Sequence, residues 1–267
     1  MKLPLIKGAT LAGILAFGAS SALAGDALTV VSWGGAYTKS QIEAYHKPYT
    51  ARYGTKIQSE DYNGGLAEIR AQVEAGKITW DVVDLEVSDA ARGCDDGLFE
   101  KISAGSLPNG VNGALPAKDF IPGALQECAV GTIVWSTIYA YDANKYKSKK
   151  PKTISDFFDT KKFPGKRGMR KVPKVNLEWA LMADGVDGRD VYKVLATKAG
   201  QDRAFKKLDT IKDDVLWWEA GAQPPQMLAD GEVVMTSAYN GRIFNAAVTE
   251  LSLIHISEPT RRYAISY

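Results

Sequence analysis

From residue 28 onward, short β-prone apolar runs alternate with stretches whose apolar residues recur at helical spacing. Leu28-Thr-Val-Val31 is a continuous run of the buried-strand type that closes at Ser32. Lys39 to Arg52 predicts a helix, interrupted or kinked near Pro48, whose ring removes an amide donor. Lys56 to Asp61 predicts a second strand. Leu66, Ile69 and Val73 then recur at helical spacing after Gly64-Gly65, and that helix stops at Gly76. Asp81-Val-Val-Asp-Leu-Glu86 predicts a third strand, and Ser88 a cap for a short helix over Asp89 to Arg92. A β-α-β-α-β order implies a parallel, doubly wound lobe.

Residues 104 to 127 are rich in loop signals, with Pro108, Pro116, Pro122 and several glycines. Beyond them, Gly131 to Tyr141 is the longest β-prone run in the chain. Eleven extended residues reach about 36 Å, more than a typical strand, so Ser136 to Tyr141 is expected to cross between two lobes. The second lobe then reads as a helix over Thr153 to Phe158, a strand over Arg167 to Val172 and a helix over Leu177 to Ala183 with Asn176 as a possible cap. Further helices are expected at Arg189 to Ala196 and Gln201 to Ile211. Strands are expected at Val215 to Trp218 and Glu232 to Ser237, separated by Pro224-Pro225 and a turn at Asp230-Gly231. No internal repeat is visible, and the alternation again reads α/β.

The two ends change the domain picture. Lys2 and Lys7, the apolar stretch Gly8 to Gly18 and the small-x-small site Ala22-Leu23-Ala24 form an export signal, with cleavage expected after Ala24. That stretch is too short for a membrane span. At the other end, Leu251-Ser-Leu-Ile-His-Ile-Ser-Glu-Pro-Thr-Arg261 looks like the in-frame translation of a sequencing-library adapter, continued by Ile265-Ser-Tyr267. Residues 251–267 are therefore expected to be foreign, and the natural sequence to be cut at about Glu250. The expected plan is a signal at 1–24, a first α/β lobe at 25–138, a second at 139–250, and the adapter tail.

The whole chain carries a formal charge of +2, but residues 25–250 alone hold 29 basic and 30 acidic side chains. A nearly neutral mature piece gives no electrostatic argument for nucleic acid or a membrane surface. Cys94 and Cys128 are the chain's two cysteines. In an exported protein they point to a disulfide closing a loop of roughly 35 residues, although two buried thiols or one reactive thiol also fit. With only His46 and His255 available, a Cys/His metal site or a Cys-His nucleophile has little support, and no cofactor is expected.

Ser32-Trp-Gly-Gly-Ala-Tyr37 follows the first strand and is the best pointer to a site. Two glycines let backbone approach a ligand, and Trp33 and Tyr37 offer flat faces to a small molecule. The same pattern also fits a tight strand-to-helix turn with core aromatics.

Three motifs carry a resemblance to a family. Trp33-Gly-Gly-Ala-Tyr37 behind an export signal, Phe157-Phe-Asp-Thr-Lys-Lys-Phe-Pro-Gly-Lys-Arg167, and Trp217-Trp-Glu-Ala-Gly-Ala-Gln-Pro-Pro-Gln226 with Gly231-Glu-Val-Val-Met-Thr-Ser-Ala-Tyr-Asn-Gly241 together resemble the spermidine/putrescine-type periplasmic solute-binding proteins of ABC importers. The resemblance covers residues 26 to 250. It implies a two-lobed periplasmic-binding-protein fold of type II, incomplete at its C-terminus, that closes on a solute and is recognised by a membrane permease. It implies a periplasmic, monomeric receptor with no bond chemistry. Polyamines are held in this family by aromatic walls and carboxylates.

Carried onto this sequence, the resemblance places Trp33, Tyr37, Glu86, Asn176, Glu178, Trp217, Tyr239 and Arg242 at or near the ligand. Asn176 fits a plain helix cap as well as a ligand contact. Two departures weaken the polyamine reading. Arg242 follows Tyr239-Asn-Gly where some polyamine binders carry an acid, and Leu85 stands near a position where they present a serine. An arginine there repels an ammonium and pairs a carboxylate. The alternatives are therefore a γ-amino acid or small carboxylate as solute, or a periplasmic enzyme on the same scaffold with Cys94 or Cys128 as nucleophile.

Overall fold

The computed structural model describes residues 27–250 and 254–257. The export-signal reading falls outside the described residues, as does most of the adapter-like tail. Two sheets build two lobes. The first is all parallel, in the order β2-β1-β3, with β1 at Leu28–Ser32, β2 at Ile57–Asp61 and β3 at Val82–Val83. Helices α1 (Gly35–Gln41), α2 (Lys47–Tyr53) and α3 (Ala67–Glu74) connect these strands, and α4 (Val87–Asp95) follows β3. The predicted parallel unit is thus present, and α3 ends beside Gly76, which adopts a left-handed φ. Around Pro48 the helix is not broken. A π-helical turn at Ile42–His46 links α1 to α2, and Pro48 sits in the first turn of α2, where its missing amide is tolerated.

The third strand is shorter than predicted. Its ladder ends at Val83, because the backbone turns to give the Asp84 carbonyl to the Tyr62 hydroxyl, and Glu86 becomes the N-cap of α4. Ser88 lies inside the first turn of α4 and is not its cap, a correction to the sequence reading. After α4 the chain runs through a loop-rich segment holding one short helix, α5 (Pro116–Asp119). A disulfide between Cys94 and Cys128 spans this segment with a Cα–Cα distance of 5.7 Å. With both sulfurs engaged, neither cysteine is a thiolate nucleophile, which removes the enzyme alternative built on them.

The second sheet has five strands in the order β6-β5-β7-β4-β8. They are β4 (Thr137–Asp142), β5 (Arg167–Arg170), β6 (Val215–Trp218), β7 (Met235–Tyr239) and β8 (Ile254–Ser257). Strands β5, β6 and β7 are mutually parallel where they pair, whereas β4 runs antiparallel to both β7 and β8. Gly131 to Tyr141 is not one crossing strand. Pairing starts at Thr137, and Ser136 to Tyr141 enters the second sheet because β4 finds β7 along five consecutive residues. Helices α6 (Ile154–Phe158), α7 (Asn176–Ala183), α8 (Val191–Leu195) and α9 (Lys198–Asp209) match predicted elements. Three helices were not predicted: α5 in the loop-rich segment, α10 (Gln223–Ala229) and α11 (Asn240–Asn245).

Strand alternation organises the core. Along β4, Tyr139 and Tyr141 enter one buried cluster with Phe157, Met169, Trp179 and Leu181, while Ile138 and Ala140 enter another with Trp218, Met227, Val233 and Ile243. The second sheet is therefore covered on both faces. In the first lobe the buried apolar residues are fewer, among them Val31, Leu66, Ile69 and Ala90, and Val82 is half exposed. Among the described residues, no helix is long and apolar enough to cross a membrane.

Candidate functional site

The turn after β1 is held by side chains of its own lobe. The Gly34 amide donates to Thr38 Oγ1, and that hydroxyl donates to Asp61 Oδ1. Asp84 Oδ2 accepts from Ser32 Oγ at 3.3 Å and Gln41 Nε2 at 2.9 Å. The Tyr37 hydroxyl also bonds Asp84, and burial followed by that carboxylate pushes its pKa up. Gly35 has a φ of 58°, and a Cβ there would lie 2.8 Å from Arg242 Nη1, so glycine lets the second lobe's guanidinium approach. Arg242 Nη2 donates to the carbonyls of Trp33 at 2.6 Å and Gly34 at 3.0 Å.

Across the cleft the charges sort by lobe. Arg170, the last residue of β5, donates from Nη1 to Glu86 Oε1 at 2.7 Å and from Nη2 to the Asn63 carbonyl at 3.1 Å. Lys174 Nζ donates to Glu86 Oε2 at 2.6 Å and to Asp89 Oδ2 at 2.9 Å. Burial pushes the Glu86 carboxyl upward, but the hydrogen bonds and charges of Lys174 and Arg170 together outweigh it and hold it below its ordinary value. The Arg170 guanidinium lies 5.4 Å from the Trp33 ring and 5.9 Å from that of Tyr239, within cation–π range of both. Tyr62 packs against Trp33 at 5.3 Å, and Trp135 and Trp218 pack edge-on against Tyr239 at 5.0 and 5.7 Å. Burial raises the Tyr239 phenol to about 12, so it stays neutral, and its oxygen accepts from the Arg170 guanidinium.

The structure brings Trp33, Glu86, Tyr239 and Arg242 to this cleft, while Tyr37 lies in the first turn of α1 with its hydroxyl on Asp84. Asn176 is the first residue of α7 rather than its cap, a role held by Val175. Its buried Nδ2 donates to the Arg170 and Val172 carbonyls, so it braces the end of β5 and the loop after it, where Arg170 and Lys174 stand. Val175 has a φ of 70°, a strained value for a β-branched residue. Glu178 is buried. Desolvation raises its pKa against the opposing bonds from backbone amides, including that of Val175, and from Tyr192, so its acceptors serve α7. Trp217 is half exposed, and strand alternation puts it on the opposite face from Trp218, which packs on Tyr239. Asp84, Leu85 and Glu86 lie past the ladder of β3, which ends at Val83.

Arg170, Lys174, Asp89 and Tyr62 were missed. A signal existed for the first two: Arg170 and Lys174 stand at and just past the carboxyl end of a predicted strand, the place where open α/β sheets bind ligands.

Residues 44–265 match the model of the bacterial extracellular solute-binding proteins. The chain is 48% identical over 229 residues to a gamma-aminobutyric acid-binding protein of Pseudomonas aeruginosa, covering 86% of this chain and 63% of that protein. The chain therefore spans somewhat less than two thirds of that relative's length. Among solved structures, MotA from A. tumefaciens B6, in complex with glucopine, matches with a TM-score of 0.76 at 32% identity, over 83% of this chain and 66% of that one. A solved GABA receptor matches with a TM-score of 0.67 at 34% identity, over 83% of this chain and 65% of that one. These neighbours share the two-lobed periplasmic-binding-protein architecture that the two sheets of this chain build. Sequence match and architecture agree: the chain belongs to the bacterial extracellular solute-binding protein family.

Proposed function

We propose that this chain is the solute receptor of an ABC importer, and that its solute is a small zwitterionic amino acid of the γ-aminobutyric acid type. The observation that carries this reading is the Arg170–Glu86 pair, opposite charges from opposite lobes set beside the faces of Trp33 and Tyr239. A zwitterion answers that pair group for group. Its carboxylate takes the Arg170 fork, its ammonium takes Glu86, and its methylenes lie along the rings. A polyamine satisfies Glu86 alone and sets a cation beside Arg170, while a dicarboxylate does the reverse. Leaving one buried partner uncompensated is costly.

The polyamine reading of the sequence thus gives way to its amino-acid alternative. The relatives' names support the change, since the curated relative is a gamma-aminobutyric acid-binding protein and one solved neighbour is a GABA receptor. In this reading the receptor works as a monomer in the periplasm, closes on the solute and presents it to the permease. Thermal unfolding of the full chain with a ligand panel tests it. γ-Aminobutyric acid at a hundredfold excess over its Kd should add about 2.7 kcal/mol, with no effect from putrescine, spermidine or butyrate. Stabilisation by putrescine with none from γ-aminobutyric acid would overturn it.

A further inference from the structure

Glu86 is shared by two cations, and only one of them has a second carboxylate to hold. Arg170 binds Glu86 and a backbone carbonyl, whereas Lys174 bridges Glu86 and Asp89. Asp89 is buried, and its other charged partner, Arg92, lies on its own helix three residues on. Both carboxylates stand at the N-terminal end of α4, where the helix dipole favours negative charge. Both cations stand on the other lobe, Arg170 at the end of β5 and Lys174 in the loop after it, a segment that Asn176 braces. The two lobes are therefore tied to each other by side chains of the protein itself.

We propose that Lys174 and Asp89 form a latch between the lobes that sets the affinity for solute without touching it. On the zwitterion reading given above, solute entry transfers Arg170 and Glu86 to the ligand. The Lys174–Asp89 pair then persists and keeps the lobes together. The closed population before binding scales the apparent affinity, because binding to a state populated at fraction f is weakened by 1/f. Lys174 is about two-fifths exposed, so the pair is screened by salt and its effect is moderate.

Small-angle scattering of the unliganded full chain, together with the Kd for γ-aminobutyric acid, tests this at low and high ionic strength. The wild-type chain should be compact in dilute salt and expand in concentrated salt. Lys174→Gln, Asp89→Asn and the double variant should be expanded in both, the two changes being non-additive. Their Kd should rise roughly three- to tenfold in dilute salt, with the order of preference among solutes unchanged. Lys174→Arg, which keeps the charge, should remain compact. Identical scattering of the wild-type chain and the double variant in dilute salt would overturn the latch. A salt- and variant-dependent expansion in a chain that ignores γ-aminobutyric acid would support the latch and defeat only the solute assignment.

Discussion

Arg170 concentrates the chemistry of the cleft, with a carboxylate from the other lobe on its fork and aromatic rings beside its plane. Its approach depends on a residue with no side chain. Gly64 has a φ of 85°, and a Cβ there would overlap the Trp33 ring and crowd the Arg170 guanidinium. Gly64→Ala should therefore destabilise the chain by about 1–3 kcal/mol and weaken solute binding, read as a lowered Tm and a raised Kd. The Ser32 to Tyr37 turn was legible in the sequence because two glycines after an apolar strand mark a strand-to-helix turn, whether its aromatics face a ligand or the core. Arg170 and Lys174 were not singled out, because their partners Glu86 and Asp89 lie more than eighty residues away and face them only once two lobes are set opposite each other. Arg242, read as a cleft cation, donates from Nη2 to the Trp33 and Gly34 carbonyls and so also clamps the turn.

Elements set by local pattern were the readable ones: β1, β2, α3, β5, α7 and α9 all fall where periodicity put them. The exceptions have local causes. Pro224-Pro225 was taken as a break between strands, but proline is at home in a helix's first turn, and α10 starts there. Strand β3 was overextended because Asp84 and Glu86 were assigned to a ladder they leave in order to serve Tyr62 and α4. The two helix N-termini at the cleft make opposite pH predictions. Glu86, at α4, titrates below its ordinary value near 4.5, so its contribution is complete above that value and is lost as pH falls through the lower folded one. Glu178, at α7, is raised, so between its ordinary and its raised value stability grows as pH falls. Glu178→Gln should remove the rise and leave the acid loss, and Glu86→Gln the converse, as followed by chemical denaturation across pH 3 to 7.

At the scale of the molecule the lobes are unequal. Both buried clusters flank the five-stranded sheet, while the three-stranded sheet has fewer buried apolar residues and leaves Val82 half exposed. Local opening should follow that division. Amide exchange in β4, β5 and β7 should be the slowest in the chain, with β1, β2 and β3 faster. Equal protection in both sheets would refute the asymmetry. The division into two α/β units was readable because each lobe has its own run of strand and helix signals. The meeting of their charges was not, since it rests on how the lobes face each other. That meeting is the central claim, and calorimetric titration of the full chain with γ-aminobutyric acid, repeated on Arg170→Gln and Glu86→Gln, tests it most directly. The account predicts one saturable site in the wild-type chain and a loss of about 2 kcal/mol or more, roughly thirtyfold, in each variant. Unchanged affinity in both variants would contradict it.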